Sequence, residues 1–216
     1  MPVFVEGLIF DLDGTLIDSR QDIVAAVNHA LEGLRLSPLE ARVVAAYVGD
    51  GVEQLMGRCL SHFDRTDLAE EAGIRFKEHY RAHMLDNTRL YSGVTDMLAS
   101  FRAKRMAVIT NKPEAFTLQI LEGLGIRHYF SCVLGGDSMA VRKPDPAPVI
   151  KILDGWQLNS SQVVVVGDSR NDIEAGKKSG ALTCAVTYGF KSRDELAGSG
   201  ADWTIDRMEQ LGECVY

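Results

Sequence analysis

Three short apolar runs in this chain each end abruptly on a polar motif. Residues 8–10 run into Asp11-Leu12-Asp13-Gly14-Thr15-Leu16, residues 106–109 into Thr110-Asn111, and residues 163–166 into Gly167-Asp168-Ser169-Arg170-Asn171-Asp172. An unbroken apolar run of this length fits a strand covered on both faces, as in a parallel sheet. A polar group at the C-terminal end of such a strand stands where open α/β sheets place their ligands. A fourth motif, Lys143-Pro144, falls in order between the second and the last.

The segment after the first motif does not continue a sheet. Ser19-Arg20-Gln21-Asp22 resembles a capping box, and Ile23, Val24, Val27, Leu31 and Leu34 then recur at helical spacing. Ser37-Pro38-Leu39-Glu40 predicts the start of a second helix, with a cap, a proline at the first helical position and an acid at the third. Gly49-Asp50-Gly51 breaks that helix. Val52, Leu55, Met56, Cys59, Leu60 and Phe63 mark a third, and a fourth is expected from about Thr66 to Met84. Residues 18–87 therefore read as an all-helical insertion, and residues 1–17 with 88–216 as the α/β part.

From Gly93 onward, helical and strand-like patterns alternate, which predicts a parallel sheet. Strands are expected at residues 106–110, 132–134, 163–166 and 182–187, with a last edge strand at 203–205. Helices are expected between them, including 113–124 and 171–179, stopped by Gly125 and Gly180.

Composition narrows the partners. The formal net charge of −7 argues against a nucleic-acid binder. No apolar run reaches the 18 residues or so that a membrane span needs. The N-terminus lacks the basic and apolar regions of a signal peptide. The four cysteines show no CxxC spacing, so a cytoplasmic protein with reduced thiols is the expectation.

Asp11 and Asp13 would point to opposite faces of a regular strand, but Gly14 lets the chain leave the strand and both acids turn into one pocket. Asp-Gly is also common in plain turns. Asp168 and Asp172 would share a helical face if a helix began near Arg170, and they could equally cap and compensate that helix. Taken together, the two clusters place three or four carboxylates around one point, which calls for a cation. Oxygen ligands with no His or Cys in the motifs suit Mg²⁺ better than Zn²⁺. Thr110 and Lys143 add a hydroxyl donor and a point charge of the kind a phosphate needs. The five histidines form no triad, and no GxSxG, HExxH or phosphate-binding P-loop occurs.

The set Asp11-x-Asp13-Gly14-Thr15, Thr110, Lys143 and Gly167-Asp168-x-x-x-Asp172, with a helical insertion after the first motif, resembles the haloacid dehalogenase superfamily. Asp13 separates the chain from the dehalogenases themselves, which lack an acid there, and points to a phosphatase branch. Asp18-Ser19-Arg20-Gln21-Asp22-Ile23, Thr110-Asn111-Lys112-Pro113, Tyr129-Phe130-Ser131, Gly135-Gly136-Asp137 and Thr187-Tyr188-Gly189 resemble the phosphoglycolate phosphatases. The chain departs from that pattern in carrying Asp50 where the subfamily has Asn, and its insertion is short.

The resemblance implies a Rossmann-like α/β core with a central parallel sheet and an inserted all-helical cap. It implies a Mg²⁺-dependent phosphomonoester hydrolase. Asp11 would be the nucleophile that forms an aspartyl-phosphate, and Asp13 the acid and base. Thr110 and Lys143 would hold the phosphoryl oxygens. Asp11, the backbone carbonyl of Asp13, and Asp168 would bind the metal, with Asp172 as a ligand or just behind the ligands. Asn111, Gly49, Asp50 and Gly51 are the expected substrate contacts. The expected substrate is 2-phosphoglycolate or a similar small phosphate ester, and the expected assembly a monomer or homodimer. A sugar-phosphate mutase, a pyrophosphatase or a nucleotidase would use the same core. A signalling domain that holds a phosphoaspartate as a switch is the non-enzyme alternative.

Overall fold

The structure, a computed structural model, describes residues 2–216. Two compact units divide the chain: one runs through Asp18 and resumes at Leu90–Tyr216, and the other is Ser19–Arg89.

The first unit is built on a six-stranded sheet. In chain order its strands are β1 (Gly7–Phe10), β4 (Arg105–Ile109), β5 (Cys132–Leu134), β6 (Val163–Gly167), β7 (Leu182–Val186) and β8 (Trp203–Ile205). Two short strands, β2 (Ile17–Asp18) and β3 (Arg89–Leu90), form a separate two-stranded ribbon. The order across the large sheet is β5-β4-β1-β6-β7-β8, and every neighbouring pair is parallel. The chain steps outward from β1 through β4 to β5, then returns to the other side of β1 for β6, β7 and β8. The strand order thus reverses at β1, and at such a reversal successive loops diverge and leave a crevice at the carboxyl ends of the strands. Phe10 pairs in register with Val108 on one side and Val166 on the other. The three apolar runs singled out in the sequence are therefore the three adjacent central strands.

Burial explains why those runs are unbroken. β1 is buried at all four residues and β6 at all five. One face of the sheet presents Ile9, Ala107, Ile109 and Val165 to helix α7 (Ala147–Trp156), which packs Val149, Ile152, Leu153 and Trp156 against them. Each such side chain, fully buried, is worth roughly 1.5–3 kcal/mol relative to exposure. The remaining helices of this unit are α5 (Val94–Ser100), α6 (Glu114–Gly123), α8 (Arg170–Ser179), α9 (Arg193–Leu196) and α10 (Leu211–Cys214). The last two, like β2 and β3, are too short to carry a sequence period and were not expected.

The second unit is helical, with α1 (Arg20–Gly33), α2 (Ala41–Tyr47), α3 (Val52–Ser61) and α4 (Ala69–His83). A single 3₁₀ turn, Thr66–Leu68, leads into α4, so the expected fourth helix has a distorted first turn. α1 packs chiefly on α4. Its buried stripe is Ile23, Ala26, Val27, Ala30 and Leu31, opposite Ala72, Phe76 and Tyr80.

Two start signals behave differently from the sequence expectation. α2 begins at Ala41, not near Pro38, because the Asn28 side chain bonds both the N–H and the carbonyl of Leu39 (2.9 and 3.1 Å) and holds that residue outside the helix. Asp22 does not close a capping box with Ser19, whose side chain makes no capping bond. Its carboxylate instead accepts from the N–H and Nδ2 of Asn87 and from the N–H and Oγ1 of Thr88, at 2.7–3.0 Å. Asp22 thus ties the first turn of the unit to its last residues.

Burial by itself would raise the Asp22 carboxyl, but the bonds from Thr88 and Asn87 outweigh it and hold the group below its ordinary 3.8. The stability it lends is complete above that value and disappears as pH falls through the lower folded value. Asp22→Ala is expected to destabilise the helical unit by about 3 kcal/mol, in line with losing hydrogen bonds to a buried charged acceptor. Amide exchange in α1 and α4 reads this directly. The gap between wild type and variant should close as the pH is taken below 3.8.

Candidate active site

All three central strands deliver their motif residues to the same end of the sheet. The backbone of Asp11 still donates to the Val166 carbonyl (2.9 Å), which continues the ladder one residue past β1 and aims the side chain. The chain then folds back on itself, with the Gly14 N–H bonding the Ile17 carbonyl at 2.8 Å and the Leu16 N–H bonding the Leu12 carbonyl at 3.0 Å. Gly14 has a φ of +89°, and a Cβ built there would lie 2.1 Å from an oxygen of Asp168. No other residue satisfies both conditions. A Cβ on Gly189 would likewise come within 2.4 Å of Asp168. The backbone is packed directly against the Asp168 carboxylate from two sides.

One oxygen each from Asp11, Asp168 and Asp172 lie within 4.8 Å of one another. All three residues are buried. Burial, followed by the charges of Asp11 and Asp172, drives the Asp168 carboxyl well above its ordinary value, against a hydrogen bond of 2.6 Å from the Phe190 N–H. Burial also raises the Asp11 carboxyl, to about 7, with Lys143 opposing and Asp172 adding to it. Carboxylates buried this close together could hold a cation, and the set is all oxygen.

Asp168 and Asp172 reach this cluster by different routes than a shared helical face. α8 starts at Arg170, so Asp168 lies ahead of it, and Ser169 is the N-cap. Asp172 accepts from the Ser169 N–H (3.0 Å) and Oγ (2.6 Å) through one oxygen. Its other oxygen pairs with Lys143 Nζ at 2.6 Å. Both oxygens of Asp172 are thus engaged by the protein.

Lys143 is the counter-charge at the centre. Its Nζ also meets Asp11 at 2.6 Å and donates to the Ile109 carbonyl at 2.5 Å. Burial pulls the ammonium down, but Asp11 and Asp172 more than offset this and hold it above the ordinary lysine value. The loop carrying Lys143 is anchored by Asn111, whose Nδ2 donates to the Lys143 carbonyl at 2.9 Å. Thr110, buried at the end of β4, accepts from the Lys112 N–H at 3.2 Å. The site therefore gathers Asp11, Asp13, Thr110, Asn111, Lys143, Asp168 and Asp172 in one unit. Gly49, Asp50 and Gly51 belong to the helical unit. There Gly49 and Gly51 take φ of +127° and +88°, and Asp50 pairs with Arg58 of α3 at 2.6 Å.

Three participants were not assigned a role from the sequence. Lys112 forms a buried bidentate pair with Asp13, at 2.8 and 2.9 Å. The Phe190 amide holds Asp168, and the Tyr188 hydroxyl donates to the Thr15 carbonyl at 2.9 Å. Lys112 and Tyr188 stand inside the strings that carried the family resemblance, which is the only signal that could have marked them. A backbone amide such as that of Phe190 carries none.

No helix among the described residues is long and apolar enough to cross a membrane. The sequence matches the family described as haloacid dehalogenase-like hydrolase over residues 8–186. It is 39% identical to the phosphoglycolate phosphatase of Neisseria meningitidis, covering 97% of this chain and 93% of that one. The phosphoglycolate phosphatase of Chromobacterium violaceum is 35% identical, over 96% and 95% of the two chains. The crystal structure of a predicted phosphoglycolate phosphatase from Haemophilus somnus superposes with a TM-score of 0.92 at 31% identity, over 97% of both chains. Three motifs at the ends of adjacent parallel strands, a lysine brought to them on a loop, and relatives that span nearly the whole chain lead to one conclusion: the protein belongs to the haloacid dehalogenase-like hydrolase family and is an enzyme of its phosphatase branch.

Proposed function

We propose that the protein hydrolyses small anionic phosphomonoesters, with 2-phosphoglycolate as the leading substrate, through a phosphorylated Asp11. The observation that carries this reading is Asp11 itself. Its carboxylate stands at the strand-order reversal, beside a lysine and two further acids, with Thr110 at the end of the adjoining strand and Asp13 just beyond it in the same motif. The relatives named as phosphoglycolate phosphatases, which match over almost their full length, supply the substrate.

In the first step an oxygen of Asp11 bonds to phosphorus while the bond from phosphorus to the ester oxygen breaks. Asp13 gives its proton to the departing alkoxide. In the second step water bonds to phosphorus, the bond to Asp11 breaks, and the Asp13 carboxylate takes the water's proton. Thr110 and Lys143 hold the oxygens of the transferring group, where fixed donors favour the charge that spreads over them. Asp172 acts through Lys143, since its oxygens are already spent on that ammonium and on Ser169.

The crowded carboxylates fit Mg²⁺. Asp11, the Asp13 carbonyl and Asp168 would hold it, and when bound it would supply positive charge for the phosphoryl oxygens. We assign residues 18–87 the role of a cap. Within it, Gly49, Asp50 and Gly51 select the leaving group, and in the core Asn111 sets the Lys143 loop. Arg58 neutralises Asp50, so removing the acid's charge leaves a net positive loop.

Three measurements test the proposal. Asp11→Asn should lower kcat by at least about 10³-fold while circular dichroism stays unchanged, as for loss of a nucleophile elsewhere. A variant retaining a tenth of wild-type kcat would remove Asp11 from that role.

Mg²⁺ should raise the melting temperature of wild type but not of Asp168→Ala, and exhaustive chelation should stop turnover. Ca²⁺ should suppress turnover, because it favours more ligands and looser geometry.

Asp50→Asn should lower KM for 2-phosphoglycolate with a smaller change in kcat. A phosphate-release screen in which another metabolite is hydrolysed far faster than 2-phosphoglycolate would overturn the substrate and leave the chemistry standing.

A further inference from the structure

We propose that Lys112 is a specificity-determining residue for the leaving group, in addition to the Gly49-Asp50-Gly51 loop: its ammonium selects esters whose alcohol portion carries its own negative charge close to the ester oxygen. The inference rests on reading Asp13 as the group that protonates that oxygen.

Of the 23 lysines and arginines in the chain, the described residues bury two, Lys112 and Lys143. Burying an ammonium is costly, so a buried lysine far from any carboxylate would be neutral or absent. Here each one faces an acid of the first motif: Lys143 meets Asp11, and Lys112 meets both oxygens of Asp13. The side chains of the Lys112–Asp13 pair are 7% and 10% exposed, so when Asp13 carries the proton it is to donate, the ammonium stands uncompensated in a dry site and a neighbour feels its charge.

The two pairs differ in what they can touch. Lys143 is committed to Asp11, Asp172 and the Ile109 carbonyl, on the side where phosphorus is attacked. Lys112 lies on the side where the ester oxygen departs, because Asp13 must reach that oxygen to give it a proton. Two successive charge-assisted hydrogen bonds of about 2.7–2.9 Å bring the departing oxygen within about 5–6 Å of the Lys112 ammonium. A carboxylate on the adjoining carbon falls inside that radius.

The rest of the pocket argues the same way by exclusion. Asp11, Asp168 and Asp172 repel any second anion. Lys112 offers the carboxylate of such a leaving group a positive charge beside the departing oxygen. The backbone supports this placement, since the Thr110 hydroxyl accepts from the Lys112 N–H and sets the turn after β4. A neutral alcohol gains nothing from the same ammonium, which is how one lysine separates the two substrate classes.

The test uses three esters: 2-phosphoglycolate, 2-hydroxyethyl phosphate as its neutral counterpart, and p-nitrophenyl phosphate, whose leaving group needs little protonation. In wild type, kcat/KM for 2-phosphoglycolate should exceed that for 2-hydroxyethyl phosphate by at least about tenfold, and equality overturns the proposal whatever the variants do. Lys112→Met should lower kcat/KM for 2-phosphoglycolate, mostly through KM, by at least about tenfold more than for either of the other two esters. Lys112→Arg should restore most of the preference.

If Lys112→Met slows both alkyl esters equally and spares the aryl ester, Lys112 works only by positioning Asp13, and the inference fails. Equal loss on all three esters would make Lys112 merely structural, and the inference fails again. Should Lys112→Met not fold, Lys112→Gln and the wild-type comparison decide. Asp13→Asn, followed through the first turnover, should lose release of both alkyl alcohols and keep release of p-nitrophenol. Equal loss of all three in that variant would instead sink the reading of Asp13 on which this one stands.

Discussion

Two lysines carried into a buried cluster of acids are the constraint around which the unit of the six-stranded sheet is organised. Lys143 binds Asp11, Asp172 and the end of β4 at once, so it joins residues from three separate segments through one ammonium. Removing either partner would strand a buried charge, which typically costs about 3–5 kcal/mol. That is why the neighbouring features follow. Asn111 grips the loop behind Lys143, and Ser169 bonds the other side of Asp172. The Phe190 amide reaches Asp168, the member of the Asp11, Asp168 and Asp172 trio that Lys143 does not pair with.

The close approach around Asp168 has a cost in sequence freedom. Gly14 and Gly189 come so near its carboxylate that a single methyl group at either would collide with it. The acid cannot retreat, because β6 is buried over its whole length and in register with β1 and β7. A rigid sheet end, backbone pressed against the acids, and buried counter-charges give a preorganised site. Such a site would need little rearrangement as charge moved in the phosphoryl transfer proposed for it. The helical unit is secured by another device: Asp22 fastens its first turn to residues 87 and 88 through hydrogen bonds, without a lysine. One unit holds charge against charge, and the other closes its two ends with neutral donors around a single acid.

Much of this was readable in the amino-acid order. Continuous apolar runs gave the central strands, because a strand covered on both faces has no polar position to interrupt it. The edge strand β8 alternates in burial instead, with the exposed Thr204 between Trp203 and the buried Ile205. Helix starts were less secure. Ser37-Pro38-Leu39-Glu40 looked like a beginning, but Asn28, eleven residues away from Leu39, holds that stretch extended. Asp22 looked like a cap and is a long-range tie. A local signal is overridden when a distant side chain offers the same atoms a better-satisfied partner.

The sequence by itself determined the types of group at the site, Asp11, Asp13, Thr110, Lys143, Asp168 and Asp172, and the family to which their order points. Only the tertiary structure decided how they are coupled. The reversal of strand order at β1 brings the ends of β4 and β6 to either side of Asp11. That geometry assigns Lys143 to Asp11 and Asp172 and assigns Lys112 to Asp13, pairings across 132, 29 and 99 residues of chain. Nothing local encodes such pairings. They arise because desolvated charges must find opposite charges, and the sheet topology determines which ones are within reach.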